Sequence, residues 1–170
     1  MKLGRDEAGR IFVLDVLRLR GGPHEVAEAI VNTAHMDGRG VPVGLPQDPG
    51  QAGKQQVAWL TARLAGHRVV ASAETGSKLV RASPVAAQVE AGILLLVRAE
   101  WNAALVEDLR EFPQGRKDDQ VDALSRGLRC WRRLGCRRGG FRWGFLGGKA
   151  RGFALGPQSR RSLDNPLLCW

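Results

Sequence analysis

Three carboxylates fall within five positions of one short stretch, FPQGRKDDQVDALSRG at residues 112–127: Asp118, Asp119 and Asp122. If the stretch opens a helix, residues three and four apart share a face, so Asp122 lies beside both of the others. Asp118 and Asp119 could simply cap free backbone N–H groups at the positive end of the helix dipole, an effect of about 0.5–2 kcal/mol. Asp122 fits that role less well. It stands between Val121 and Ala123-Leu124 on a helix that should be half buried, where an unpaired carboxylate is costly. A hard divalent cation such as magnesium would resolve the conflict by neutralising several carboxylate oxygens at once.

A second acid, Asp48, stands in GLPQDPGQAGK (44–54), just past the end of a predicted strand, where open α/β sheets gather their ligands. The bland alternative is a turn residue before Pro49-Gly50. The loop superficially resembles a phosphate-cradling glycine loop. Counting back from Gly53-Lys54, however, puts Asp48 where that motif needs its first glycine and Gln55 where it needs Ser or Thr, which excludes an ATP site. His24, His35 and His67 show no ligand spacing and read as surface residues. Cys130 and Cys136 are six apart with no histidine beyond His67, so the thiols match no metal site and read as reduced.

The elements that must position these acids alternate. RIFVLDVL (10–17) is a short apolar run rich in strand formers, after a hairpin turn at residues 4–9 and a strand that would end near Leu3. Asp15, at the end of that run, reads as structural. Pro23 opens a helix with Val26, Ile30 and Ala34 on one stripe, ending near Asp37-Gly38. A strand at 41–50 running into its loop, a helix at 51–64 and a strand at 67–73 follow. A helix at 78–91 interrupted by Pro84, a strand at 93–97, a helix at 99–112 with Trp101, Leu105, Leu109 and Phe112 inward, and a last helix at 118–128 complete the series. Strands alternating with helices of this length predict an α/β layer architecture.

With 170 residues, 44% hydrophobic and 25% charged, the chain suits one domain with an appendage. No apolar run approaches the roughly 18–20 residues that span a bilayer, and the N-terminus lacks a signal-peptide core; both point to a cytoplasmic, non-membrane protein. The net charge of +9 is unevenly spread: residues 1–125 carry 15 Lys+Arg against 16 Asp+Glu, and residues 126–170 carry 11 against 1. The basicity belongs to an Arg/Gly/Trp-rich tail without sustained period, which predicts little packed structure there.

PQDPGQAGK and DDQVDALS, in this order and separation, resemble the C-terminal nuclease domain of the large terminase subunit of tailed bacteriophages and prophages. The resemblance covers about residues 3–126, taken here as the domain 1–126, with 127–170 as the tail. It implies an α/β, ribonuclease H-like mixed sheet flanked by helices, and metal-dependent endonuclease chemistry that cuts concatemeric viral DNA during packaging. Asp48 then matches the second metal-binding acid, and Asp118, Asp119 and Asp122 match the C-terminal acids. Asp48, Asp119 and Asp122 are the candidate catalytic residues, with Asp118 a further metal ligand. Two Mg2+ or Mn2+ ions about 3.5–4 Å apart would activate water and steady the leaving oxygen.

The implied partners are double-stranded DNA, the portal and procapsid, and the small terminase subunit, in a bacterial host cytoplasm. Lys54 could meet DNA phosphate or be a solvated helix residue. The acid that such domains carry on the first strand lies upstream of this chain's first hairpin, and the packaging ATPase is absent. The expectation is therefore a fragment lacking most of the first strand and impaired in catalysis, its reading frame altered near residue 127. Two alternatives stay open. One is a non-catalytic nucleic-acid-binding protein, with Arg132, Arg133, Arg137 and Arg138 gripping phosphates beside Trp131 and Trp143. The other is a different nuclease of the same fold, such as a resolvase.

Overall fold

In the computed structural model, residues 1–115 and 118–134 and the backbone of 167–169 are described. The chain opens with a hairpin, β1 (Lys2–Arg5) and β2 (Ile11–Asp15). Asp6 closes its turn: Oδ1 accepts from the Arg10 N–H at 2.8 Å and Oδ2 from Arg10 Nε at 2.7 Å. Gly9 at φ 83° supplies the left-handed position. Four residues suffice for the strand before this turn, which the sequence left almost no room for.

Helix α1 (Pro23–Asp37) starts where Pro23 predicts, and the Glu25 carboxylate accepts from the Gly22 N–H at 2.7 Å. There follow β3 (Val43–Gln47), α2 (Gln51–Arg63), β4 (Val69–Ala73), α3 (Lys78–Glu90), β5 (Leu94–Leu96), α4 (Asn102–Glu111), α5 (Asp119–Arg133) and β6 (Leu167–Cys169). Pro84 lies inside α3, which begins on a Ser77 cap.

The six strands form one mixed sheet in the order β4-β3-β6-β1-β2-β5. β1 runs antiparallel to β2 and β6, whereas β2 with β5, β3 with β4 and β3 with β6 are parallel. Successive residues of a strand face opposite sides, and the two hydrophobic clusters divide accordingly. Val69 packs on a cluster made by α1, β3 and α2, with Ile30, Val43, Leu45 and Leu64 at its centre. Its neighbour Val70 packs on the larger cluster of β1, β2, α3, α4 and α5, built on Leu3, Val13, Val85, Leu105 and Leu124. Helices thus cover both faces, as the alternating pattern predicts.

One boundary differs from expectation. Helix α5 continues to Arg133, past the domain limit expected at residue 126, because Leu128, Cys130 and Trp131 are all buried against the larger cluster. The packing gained by those side chains outweighs the arginine-rich composition that suggested an unpacked tail. The rest of that tail, residues 135–166 and 170, lies outside the described residues. Among the described residues no helix is long and apolar enough to cross a membrane.

Candidate functional site

The parallel strands β3 and β4 end together. Gln47 pairs with Ala73, and the Glu74 N–H donates to the Gln47 carbonyl at 3.1 Å, so Asp48 and Glu74 leave neighbouring strands side by side at one sheet edge. Asp48 is exposed. The chain then turns at Gly50, φ 101°, into α2. Gly53 brings the first turn of that helix onto the Asp48 backbone: a Cβ there would stand 2.3 Å from the Asp48 carbonyl oxygen. Because backbone rather than a flexible side chain blocks the space, Gly53→Ala is expected to destabilise the protein by about 1–3 kcal/mol. It should also shift the amide signals of residues 47–50; an unchanged melting temperature and spectrum would refute this.

Glu74 anchors a cluster of charges. Its Oε1 accepts from Arg126 Nε at 2.9 Å and from Arg129 at 3.0 Å, while Oε2 faces Arg81 Nε at 3.2 Å as an ion contact without hydrogen-bond alignment. Burial by itself pushes the Glu74 carboxyl up, but the hydrogen bond and charge of Arg126, reinforced by Arg129, outweigh it and hold the group below the usual carboxylate range. Arg81 also binds the Gly76 carbonyl at 2.9 Å and Asp122 Oδ1 at 3.0 Å. Lys78, one turn before Arg81 on α3, binds Asp118 directly and lies 4.0 Å from Asp122 Oδ2. The hydrogen bond from Lys78 to Asp118 raises the ammonium's pKa, against a smaller opposing effect of desolvation.

The acids at the start of α5 are therefore neutralised from α3. Asp122, the residue for which burial demanded a counter-charge, has one in Arg81. Asp118 is the N-cap residue, yet its side chain makes no capping hydrogen bond and reaches across to Lys78 instead, which corrects the simple capping expectation. Asp119, the first residue of the helix, is exposed. Asp118 and Asp122 are brought together around Lys78. Asp48 follows Gln47, whose carbonyl accepts from the Glu74 N–H, and so stands beside Glu74 at the strand ends.

Among the described residues, no group of three or more His, Cys, Asp or Glu side chains is arranged to hold a metal ion. Of the four acids, Asp118 and Asp122 have cationic partners, and Asp48 and Asp119 are exposed. Glu74 and Arg81 are the central residues that sequence reasoning missed. Glu74 carries the same signal that singled out Asp48, an acid one position past a strand end. Arg81 carried none, being a lone helix arginine with no motif around it.

Of the predicted DNA contacts, Lys54 is exposed on α2, and Arg132 and Arg133 are exposed in the last turn of α5. Arg133 also donates to the Ala71 carbonyl at 3.2 Å, which ties that turn to β4. Arg137 and Arg138 lie outside the described residues. Asp15 is exposed at the end of β2. His35 and His67 lie with ring centroids 5.4 Å apart and planes tilted by 34°.

A mixed sheet covered on both faces by helices, with acids at the ends of its parallel strands and at the start of a late helix, defines a ribonuclease H-like α/β protein. The family model for the terminase RNaseH-like domain matches residues 1–129, and the chain belongs to that family. No curated protein and no solved structure matches it.

Proposed function

We propose that the chain is a nuclease-type domain of a phage or prophage large terminase subunit, derived from a metal-dependent DNA endonuclease of viral packaging and impaired in hydrolysis. Family membership supports the ancestry. One structural observation supports the impairment: Arg81 and Lys78 occupy the oxygens of Asp122 and Asp118, so any divalent ion must compete with resident cations. Asp48, Asp119 and Asp122, with Asp118, are the carboxylates assigned to meet Mg2+ or Mn2+. Double-stranded DNA is the assigned substrate, with Lys54, Arg132, Arg133, Arg137 and Arg138 as phosphate contacts. The portal, the procapsid and the small terminase subunit are the assigned partners, in a bacterial cytoplasm.

Calorimetric titration of Mn2+ tests this directly. Affinity is expected to fall in Asp48→Asn and Asp122→Asn and to rise a few-fold in Lys78→Ala, which frees Asp118. Supercoiled plasmid with Mn2+ is expected to be nicked slowly by the wild type and not at all by Asp122→Ala. Equal Mn2+ affinity in all four proteins would reject the assignment, as would rapid cleavage that survives Asp122→Ala.

A purely DNA-binding role has one observation in its favour, the exposed pair Arg132 and Arg133. Under that role, Arg132→Ala should lower the slope of log affinity against log salt by about one, while the acid-to-amide variants leave binding intact.

A further inference from the structure

At the end of β4 away from Glu74, basic side chains from three segments meet. His35 stands in the last turn of α1, Arg39 follows that helix, and His67 lies just before β4. The His35 and His67 rings are 5.4 Å apart. Arg39 lays its guanidinium against Gly66, so closely that a Cβ there would stand 3.1 Å from Arg39 Cζ and 3.2 Å from its Nε. Gly66 also turns the chain at φ 88°, in the left-handed region that glycine adopts without steric cost. The bare backbone at this turn is thus what lets Arg39 reach His67.

Among the described residues none of the three has a carboxylate partner. Asp37, between His35 and Arg39 in the chain, is taken by Lys2. The negative end of the α1 dipole accounts for one cation at this corner, but not for three basic groups. Their crowding is felt at His67: burial first, and then the charges of His35 and Arg39, hold its imidazole below the ordinary value of 6.5. An anion seated among them would reverse the last two causes. His67 Nδ1 is buried without a partner, which leaves Nε2 as the ring nitrogen that can meet a ligand.

We propose that His35, Arg39 and His67 form a binding site for a phosphate group. The guanidinium fork offers paired N–H donors to two oxygens of one phosphate, and the imidazoles add donors whose positive charge grows as pH falls. A phosphate has oxygens enough for all three side chains. A metal cation is disfavoured, because the charge of Arg39 is permanent. From His67 to Glu74 the extended chain puts roughly 20 Å between this corner and the acid cluster, so the site is independent of any reaction assigned to those acids.

Imidazole NMR of the full chain, titrated with inorganic phosphate, tests the proposal. Phosphate should move the ring signals of His35 and His67, leave those of His24 in place and raise the pKa of His67. Arg39→Gln alters an exposed residue that has no ion pair; it should keep the wild-type melting temperature and weaken phosphate binding at least about tenfold, the loss of a charge-assisted bond. Sulfate, whose charge is constant between neutral and mildly acidic pH, isolates the imidazoles. Its affinity should rise as pH falls through the range where His35 and His67 take up protons.

Ring signals unmoved by phosphate on the order of tens of millimolar, an equal shift at His24, or undiminished binding by Arg39→Gln would each overturn the proposal. His35→Gln, at a second exposed position, decides the matter should Arg39→Gln fail to fold: weaker phosphate binding supports the site, and unchanged binding overturns it. A short DNA duplex distinguishes the sources of the phosphate. If it displaces inorganic phosphate and moves the same rings, the ligand is a nucleic-acid backbone; if it does neither while phosphate still binds, the ligand is a free phosphate or a phosphomonoester. Either result upholds the site.

Discussion

Glu74→Ala should lower stability by about 3–5 kcal/mol, the cost of removing one partner from a buried ionic cluster. The magnitude follows from what the change leaves behind. The side chains of Arg81 and Arg126 are only 11% and 9% exposed, so each loses a close counter-charge with little solvent to replace it, although Arg81 keeps Asp122. Arg129, at 25%, can turn to water, which places the effect at the low end. Thermal unfolding should fall by roughly 6–20 °C at 2–4 °C per kcal/mol.

Glu74→Gln keeps the shape and one acceptor and should cost less. Its deficit should also depend on pH. The folded carboxyl is held below its ordinary value of 4.5, so its contribution is complete above that value and disappears as pH falls through the lower folded one. The wild type and Glu74→Gln should therefore converge in acid and differ most at neutral pH. A difference that stays constant from neutral to strongly acidic solution would show that the charge of Glu74 contributes nothing to the fold.

Trp131→Ala is expected to cost about 3–5 kcal/mol, the range for emptying a buried aromatic site. Trp131 is 6% exposed and packs in the larger cluster with Leu128 and Cys130, so the void opens into the face of the sheet that α5 covers. Its indole N–H is buried and finds no acceptor among the described residues. Trp131→Phe removes that unsatisfied donor while retaining most of the ring volume, and should cost under about 1.5 kcal/mol. Chemical denaturation of the two variants measures both values. Near-equal, small effects would mean that the last turns of α5 are not part of the cooperative core.

The legible parts of this molecule were those written in local chemistry. Pro23 announces the start of α1, and Ile30 and Ala34 mark its buried side. The acid after β3 and the acids opening α5 were identified from their positions alone, and their family is the one the chain belongs to. The end of α5 was obscured by composition. Leu124, Leu128 and Trp131 recur at helical spacing, but Arg126, Arg129, Arg132 and Arg133 between them suggested a solvated segment. Those arginines are compatible with a packed helix because Arg126 and Arg129 are turned onto Glu74.

What Asp122 is paired with could not be read in the same way. Its partner Arg81 lies 41 positions away on another helix, and a buried carboxylate is neutralised equally well, on paper, by a metal ion or a guanidinium. The insertion of β6 between β1 and β3 was equally invisible, since its partners are more than 120 positions distant and Leu-Leu-Cys is too short to carry a period. The sequence by itself determined the alternation of strands and helices, the sheet-edge position of Asp48 and the acidic opening of α5, because spacing and turn chemistry act within a few residues. Only the tertiary structure decided which charges meet and which strand closes the sheet, because ion pairs and backbone ladders depend on proximity in space, which the local pattern does not encode.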